Sequence, residues 1–543
     1  MPAPASAPSP LLTFLDRRAL LLALVFLAIG CVRIIFAYNV FSTTADEPAH
    51  IACGLEYVAN HVYKLETQHP PLTRAMIALL PYLNGTRPRG IPNFQNEGWA
   101  VVTYEHHPET TLFLMRLGNL PFFVLGGLVV FFWTRRYFTP ATAAVTTFLY
   151  TLLTPVLAHG GLATTDMGLA ACLGAAFLAA LIWAEEPTYG HAILFGACSA
   201  LVALTKFTAL GFFPLGIVLA LVCYLAVERP GMGRLMQLGR ERAPTFGIAV
   251  ATGVFLWWAA FFFSWGKPTG WSISVPAPEY FDGIAVVLTH NSTGHPAYLL
   301  GQTSNFGWWY YFPVAIAVKT PLAFLVLLVA GLGICWKNRR RVAYLLPIAF
   351  SIGVLLPSMA GHINIGVRHV LPIYLGFSIV AAIGLVSLIE RAPSRKWAGT
   401  AAAVLTLWLV ATGVLHHPDY IPYFNELVSE PDRVLVDSDY DWGQDNKRLA
   451  ARLRQLGAKQ LNYGYVDNPD HQFLEIFPGL PPIKGIHPAE PAAGWTAVCP
   501  TMNRATQYGL EYRYPNLRPW FEELQPKERV GTITLYYVDP RTR

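Results

Sequence analysis

Thr43-Thr44-Ala45-Asp46-Glu47-Pro48-Ala49-His50 follows directly on the first long apolar segment of the chain, and its reading decides what fold surrounds it. Two adjacent carboxylates at the lip of a hydrocarbon layer are costly unless water, a cation or a hydrogen-bond donor holds their charge. That cost marks them as candidates for chemistry. Gln68-His69-Pro70-Pro71-Leu72 comes before the chain next turns continuously apolar, so both stretches fall on one face of a membrane and read as the mouth of one site.

Composition supports the membrane. Of 543 residues, 54% are hydrophobic and 13% charged, whereas a soluble protein carries about a quarter charged residues. The net charge of +6 comes from short basic runs between apolar segments, where the positive-inside effect accounts for them, so nucleic acid is not implied as a partner. The seven cysteines are scattered, mostly inside apolar segments and without metal-ligand spacing, and read as small core residues.

Working outward, Met1 to Pro10 is a Pro/Ala/Ser tail, and Asp16-Arg17-Arg18 precedes an apolar run to Val40. That run is too long for a signal-peptide core and lacks a cleavage pattern, so it reads as a retained first helix starting in the cytoplasm. Further spans are expected near 112–134, 140–158, 164–184, 191–207, 209–227, 245–264, 309–335, 342–360, 369–389 and 397–415. Threaded alternately, they place Arg17-Arg18, Arg135-Arg136, Arg229 with Arg234, Arg240 and Arg242, Lys337 with Arg339 to Arg341, and Arg391 with Arg395-Lys396 inside. Only the Glu185-Glu186 loop lacks positive charge.

The expectation is a polytopic α-helical membrane protein of about eleven transmembrane helices. Its membrane domain covers residues 1–415, with external loops near 41–110 and 265–308. From His416 the apolar runs shorten and charge rises. Strands are expected over Arg433 to Asp437, Lys459 to Val466, Gly494 to Cys499 and Gly531 to Val538, with an amphipathic helix over Gly443 to Leu456. Residues 416–543 thus read as a small extracytoplasmic α/β domain over the face that carries Asp46.

Each candidate residue has a bland counterpart. Asp46 and Glu47 also suit the start of a helix at Pro48, and His69-Pro70-Pro71 also suits an ordinary turn. Asp166, at the external end of the fourth span, either receives the free amides of a helix start or joins Asp46 around a cation or a sugar hydroxyl. Lys206 and Lys319 lie in or near spans, where snorkelling is the ordinary explanation; Lys206 fits a lipid-phosphate contact better because threading puts it near the external surface. Arg368, in Gly361-His362-Ile363-Asn364-Ile365-Gly366-Val367-Arg368-His369, is an external arginine against the positive-inside trend and invites an anion such as phosphate. Trp308-Trp309-Tyr310-Tyr311 reads first as an interface belt. Asn291-Ser292-Thr293 matches a glycosylation sequon.

The order of first helix, Asp46-Glu47-x-x-His50, then His69-Pro70-Pro71-Leu72 resembles the first external loop of the protein O-mannosyltransferase family. That family belongs to the polytopic GT-C glycosyltransferases that use polyprenyl-phosphate sugars. Gly307-Trp308-Trp309-Tyr310-Tyr311-Phe312-Pro313 followed by Lys319-Thr320-Pro321 is similar to bacterial phospholipid-carrier-dependent glycosyltransferases, as is Arg368-His369-Val370-Leu371-Pro372, where His369 replaces their Tyr. The resemblance reaches to about residue 390. The tail stretches Tyr423-Phe424-Asn425-Glu426 and Asp439-Tyr440-Asp441-Trp442-Gly443-Gln444-Asp445 also resemble bacterial relatives, with no chemistry implied.

The resemblance implies a GT-C-like fold with Asp46 as the base toward an acceptor hydroxyl, Glu47 orienting acceptor or donor, and Asp166 as the second acid. His50, His69, Arg74, Lys206, Lys319, Arg368 and His369 are the expected substrate-binding residues. Thr73-Arg74 stands where those enzymes have Gly or Ala then Lys, which leaves the sugar and acceptor open. The implied activity is an inverting hexosyl- or pentosyltransferase on the outer face of a bacterial inner membrane. It would take its sugar from a polyprenyl-phosphate donor to a glycan, lipid or protein. A divalent cation (Mg or Mn) between Asp46 and Asp166 is an option, with no other cofactor expected. The rival reading is a transporter or flippase of a lipid-linked or anionic solute, which would more naturally carry its charges near the bilayer midplane.

Overall fold

A computed structural model describes residues 9–104, 107–465, 479–487, 489–501, 503–504 and 519–539. Among these, seven helices are long and apolar enough to cross a membrane: Pro10–Tyr38, Pro108–Tyr137, Asp166–Glu185, Ala209–Glu228, Val342–Met359, Ile373–Arg391 and Lys396–Leu415. Two bent pairs, Pro140–Tyr150 with Thr154–Gly160 (66°) and Tyr311–Lys319 with Leu322–Lys337 (115°), raise the number to nine at most. The protein is an integral membrane protein. The 115° bend falls at Thr320-Pro321, where the residue before a proline is driven out of helical geometry, and Thr320 is extended (φ −93°, ψ 133°).

The other two expected spans do not reach that length and composition. Tyr189–Ala203 has 15 residues and stops before Lys206. Met232–Ala259 is long, but Arg234, Arg240 and Arg242 occupy its first half. Helix Ile373–Arg391 is the most enclosed span and packs between Leu322–Lys337, Val342–Met359 and Pro140–Tyr150. At the Glu185-Glu186 loop, Arg136 from the last turn of helix Pro108–Tyr137 supplies the missing positive charge at 2.6 and 3.0 Å from the two carboxylates.

The expected loop at 41–110 is largely helical: Glu47–Asn60, Pro71–Leu83 and Phe94–Tyr104. Prolines explain the starts, since Pro48 and Pro71 sit in the first turn, where a missing N–H costs nothing. Glu47–Asn60 touches each of the other two backbone to backbone, through Gly54 against the Arg74 carbonyl and through Gly98 of Phe94–Tyr104. A Cβ on Gly98 would fall 2.0 Å from the Pro48 carbonyl oxygen, so only glycine lets Phe94–Tyr104 press on the start of Glu47–Asn60. The Leu72 N–H donates to the Leu204 carbonyl (3.0 Å), which sets the His69-Pro70-Pro71 turn against the segment carrying Lys206.

Beyond residue 415 the chain first returns to the membrane part. Asn425 donates through Nδ2 to the Ala317 and Thr320 carbonyls (2.6 and 2.8 Å), and Ser42 N–H donates to the Gln444 carbonyl (2.9 Å). No strand forms over 433–437. Single 3₁₀ turns stand at Pro431–Arg433 and Asp437–Asp439, because the Val434 carbonyl accepts from Leu300 N–H of a hairpin loop (3.0 Å) and Asp437 takes a left-handed backbone (φ 59°). Helix Asn446–Gln455 follows, packed by Leu449 and Leu453 on a five-stranded mixed sheet in the order Ile483–Ile486, Leu461–Tyr465, Gly494–Val498, Ile533–Val538, Glu528–Val530.

Candidate active site

Helix Glu47–Asn60 begins where two acidic side chains diverge. Glu47 is fully buried and receives four hydrogen bonds: from Arg116 Nε and a terminal nitrogen (2.8 Å each) and from the N–H groups of Thr44 and Ala163 (2.9 Å each). Arg116 also donates to the carbonyls of Phe41 and Ser42 (3.2 and 2.7 Å), so the pair stitches the loop to helix Pro108–Tyr137. Both Glu47 oxygens are therefore occupied and face away from the cavity. The expected role of Glu47 in orienting substrate gives way to a structural one.

Asp46, at the cap position, makes no capping bond. Its carboxylate instead accepts from an Arg368 terminal nitrogen at 2.7 Å, and the same nitrogen lies 3.6 Å from Asp166 Oδ2. Lys206 Nζ donates to Asp166 Oδ1 at 2.6 Å rather than snorkelling. Lys206, Asp166, Arg368 and Asp46 thus form a line of alternating charge from four separate segments. Asp46, Lys206 and Arg368 border a cavity of about 670 Å³ that His50, Gln68, His69, Arg74, His290, His295, His369, Asp437 and Trp442 also border; Asp166 is not on its wall and holds the two cations from within the protein. The two acids differ in access: the Asp46 side chain is 40% exposed and that of Asp166 1%. Two polar atoms on this line lack a hydrogen-bond partner among the described residues, Arg368 Nε and Asp166 Oδ2.

Burial alone would raise the Asp46 carboxyl, but the Arg368 guanidinium beside it outweighs burial and holds it below the usual carboxylate range. Arg368 is correspondingly held above the usual range, burial being outweighed by Asp46 and Asp166. Burial, reinforced by Arg74, pushes His50 down to about 3, so the ring is neutral. Arg74 Nε donates to His50 Nδ1 (3.2 Å), which leaves the proton of the neutral ring on Nε2.

Arg74 borders the cavity, yet its terminal nitrogens donate to Tyr63 Oη (2.8 Å), the Glu66 carbonyl (2.9 Å) and the Glu66 carboxylate. The expected phosphate contact becomes a scaffold for the His50 and His69 walls. Lys319 is a clear correction. It does not border the cavity; its ammonium donates to the carbonyls of Ile421 (2.7 Å) and Asp439 and lies 4.2 Å over the Phe424 ring, tying the bent helix pair to the returning tail. Asn291 Oδ1 accepts from His362 N–H (2.9 Å), which ties helix Pro278–Thr293 to the segment leading to Arg368.

The donor set does not fit a divalent cation. Asp46 and Asp166 each already face a guanidinium or an ammonium, and no cluster of three metal-ligating side chains occurs among the described residues. Two lined-up cations with an accessible carboxylate suit an anion and a hydroxyl better.

Trp442 and Asp437 were not anticipated as part of the wall. Trp442 lies over Arg368, with the guanidinium carbon 4.1 Å from the ring centroid. The dense acidic run around it carried a signal without an assignable chemistry. Burial, partly offset by Arg368, pushes the Asp437 carboxyl up to about 7. Between its ordinary value near 4 and about 7 the folded chain binds a proton that the unfolded chain does not, so stability falls as pH rises through that window. Asp437→Asn is expected to flatten the decline, read as thermal unfolding in detergent from pH 4 to 8; an unchanged slope would contradict it.

Residues 23–269 match the family described as dolichyl-phosphate-mannose-protein mannosyltransferase. This stretch carries Asp46, His50, His69, Arg74, Asp166 and Lys206. The chain resembles the protein O-mannosyltransferase family of GT-C glycosyltransferases. No curated protein matches it. Among solved structures it is similar to ArnT from Cupriavidus metallidurans bound to undecaprenyl phosphate, with 14% identity over 94% of this chain and 97% of that one at a TM-score of 0.49. It is also similar to the oligosaccharyltransferase AglB from Archaeoglobus fulgidus in complex with an inhibitory peptide and a dolichol-phosphate, with 13% identity over 84% of this chain and 60% of that one at a TM-score of 0.48.

Proposed function

We propose that the chain is a membrane glycosyltransferase that moves a sugar from a polyprenyl-phosphate donor to an acceptor hydroxyl on the external face. The observation that carries this reading is the line Lys206, Asp166, Arg368, Asp46, three of whose members, Lys206, Arg368 and Asp46, border one cavity, with the accessible carboxylate at one end and a buried, unpartnered Arg368 Nε on the line. The family resemblance supports the donor class.

In this reaction the acceptor oxygen bonds to the anomeric carbon as the bond from that carbon to the phosphate oxygen breaks. Asp46 receives the hydroxyl proton, and the phosphate leaves with one more negative charge than it brought. Arg368 and Lys206 face that growing charge from positions fixed before reaction, so little reorganisation accompanies the step. A single displacement inverts the anomeric centre and needs one positioned base. Asp166 serves here by holding both cations in place.

The wider reading follows from this site. With Tyr189–Ala203 and Met232–Ala259 crossing in addition to the nine spans above, about eleven membrane crossings put the site and the C-terminus outside, as in a bacterial inner membrane. Residues 1–415 form the membrane part and 416–543 the external part, whose first stretch walls the site. Arg368→Ala is expected to weaken binding of undecaprenyl phosphate at least tenfold, about 1.4 kcal/mol, in nanodiscs at fixed salt, and Lys206→Met to weaken it similarly. Parental affinity in both variants would refute the phosphate assignment.

A further inference from the structure

Arg368 is held by more than its two acids. Asp46 and Asp166 both approach one terminal nitrogen, at 2.7 and 3.6 Å, which fixes a position but leaves the guanidinium plane free to turn. The plane is set from the other side, by the Trp442 indole at 4.1 Å. Both side chains are more than nine-tenths buried, where attraction between a cation and a ring face is strongest.

The segment that presents Trp442 is itself clamped to the Arg368 turn and to the first loop. Asp439 Oδ1 accepts from Val367 N–H (3.0 Å), and the Ser438 hydroxyl donates to the Ile365 carbonyl. Gly366 between them has φ 134°, and a Cβ there would lie 2.2 Å from Ser438 Oγ. The Trp442 carbonyl accepts from Ala45 N–H (3.1 Å), beside Asp46, and its N–H donates to Gln444 Oε1 (2.7 Å). Lys319 holds the Asp439 carbonyl from below. A tail segment nearly four hundred residues from Asp46 in sequence is thus built into the wall of the same cavity.

We propose that Trp442 is a positioning residue of the transfer site, its indole face orienting the Arg368 guanidinium so that Nε presents its proton to a phosphate oxygen of the lipid carrier. The inference rests on the reading of Arg368 as the phosphate partner. It also gives the stretch Asp437–Trp442 a function, as a clip that completes the site from outside the membrane once the last span has been laid down.

The test measures the dissociation constant of undecaprenyl phosphate for the full chain in nanodiscs. Trp442→Leu is expected to weaken binding about tenfold and Trp442→Phe to stay within about threefold of the parent, since phenylalanine keeps a ring face. Thermal unfolding of each variant is read alongside. If Trp442→Leu does not fold, ring-fluorinated tryptophan at position 442 decides, because added fluorines weaken the ring's negative face at nearly constant shape, and affinity is expected to fall stepwise with them. Parental affinity in Trp442→Leu, or throughout the fluorinated series, overturns the inference while a weakened Arg368→Ala leaves the phosphate reading standing. Parental affinity in Arg368→Ala refutes that reading and the inference with it.

Discussion

Asp46→Asn is expected to lower the rate of sugar transfer by roughly 10²- to 10⁴-fold, the ordinary contribution of a positioned proton acceptor. The substitution is nearly isosteric, and the Asn oxygen still accepts from Arg368, so the cavity and the charge on the two cations are retained. Affinity for undecaprenyl phosphate should therefore hold or rise slightly, since a negative charge beside the phosphate is removed. A fall in kcat with little change in donor affinity separates this loss from a binding defect. Asp166→Asn should behave differently. Asp166 neutralises Lys206 at 2.6 Å inside the protein, and its loss leaves two buried cations with a single carboxylate. Parental turnover in Asp46→Asn would remove the base from the mechanism.

Arg116→Met is expected to destabilise the protein by about 3–5 kcal/mol, because it leaves Glu47 ionised, buried and stripped of two of its four donors. Neither side chain reaches solvent: Arg116 is 1% and Glu47 0% exposed. The damage concerns the whole site, since Arg116 also fixes the carbonyls of Phe41 and Ser42, and with them the loop that aims Asp46. The double variant Arg116→Met with Glu47→Gln should recover much of the loss, as a neutral amide no longer demands a counter-charge. Thermal unfolding in detergent reads both. Equal melting temperatures for Arg116→Met and the parent would show that the buried pair does not hold the loop.

Much of the site was legible as misplaced charge. Asp46, Asp166, Lys206 and Arg368 each stand where an apolar or oppositely biased sequence makes a charge costly, and the structure gathers all four into one line of ion pairs, with Asp46, Lys206 and Arg368 bordering one cavity. Sequence could not separate Asp46 from Glu47. Which of two neighbouring carboxylates turns inward is decided by Arg116, 69 residues away from Glu47. Lys319 carried the same signal as Lys206, yet its partners are two carbonyls of the returning tail. Hydropathy alone does not show that the chain past residue 415 comes back.

The same cause explains the missing strand at 433–437. Val434-Leu435-Val436 has strand-like propensity, but Leu435 and Val436 are buried in place against other parts of the protein and Asp437 turns the backbone left-handed. Tertiary contacts outweigh so short a run. The span count was limited by length: Tyr189–Ala203 is apolar throughout but ends where Lys206 reaches for Asp166. Of the helix starts in the first loop, the one at Pro48 was legible, whereas His69-Pro70-Pro71 read as a turn and Pro71 instead opens a helix.

One measurement bears most directly on the central claim that this cavity joins a lipid-linked sugar to a hydroxyl. Purified protein in liposomes is given a polyprenyl-phosphate mannose together with acceptors bearing free hydroxyls, and lipids and acceptors are then weighed by mass spectrometry, with a pentose-bearing donor run in parallel. The account predicts free polyprenyl phosphate and an acceptor heavier by one sugar residue, in equal amounts, with inversion at the anomeric carbon. An intact donor pool, with a solute moved across the vesicle wall and no glycosylated product, would contradict it.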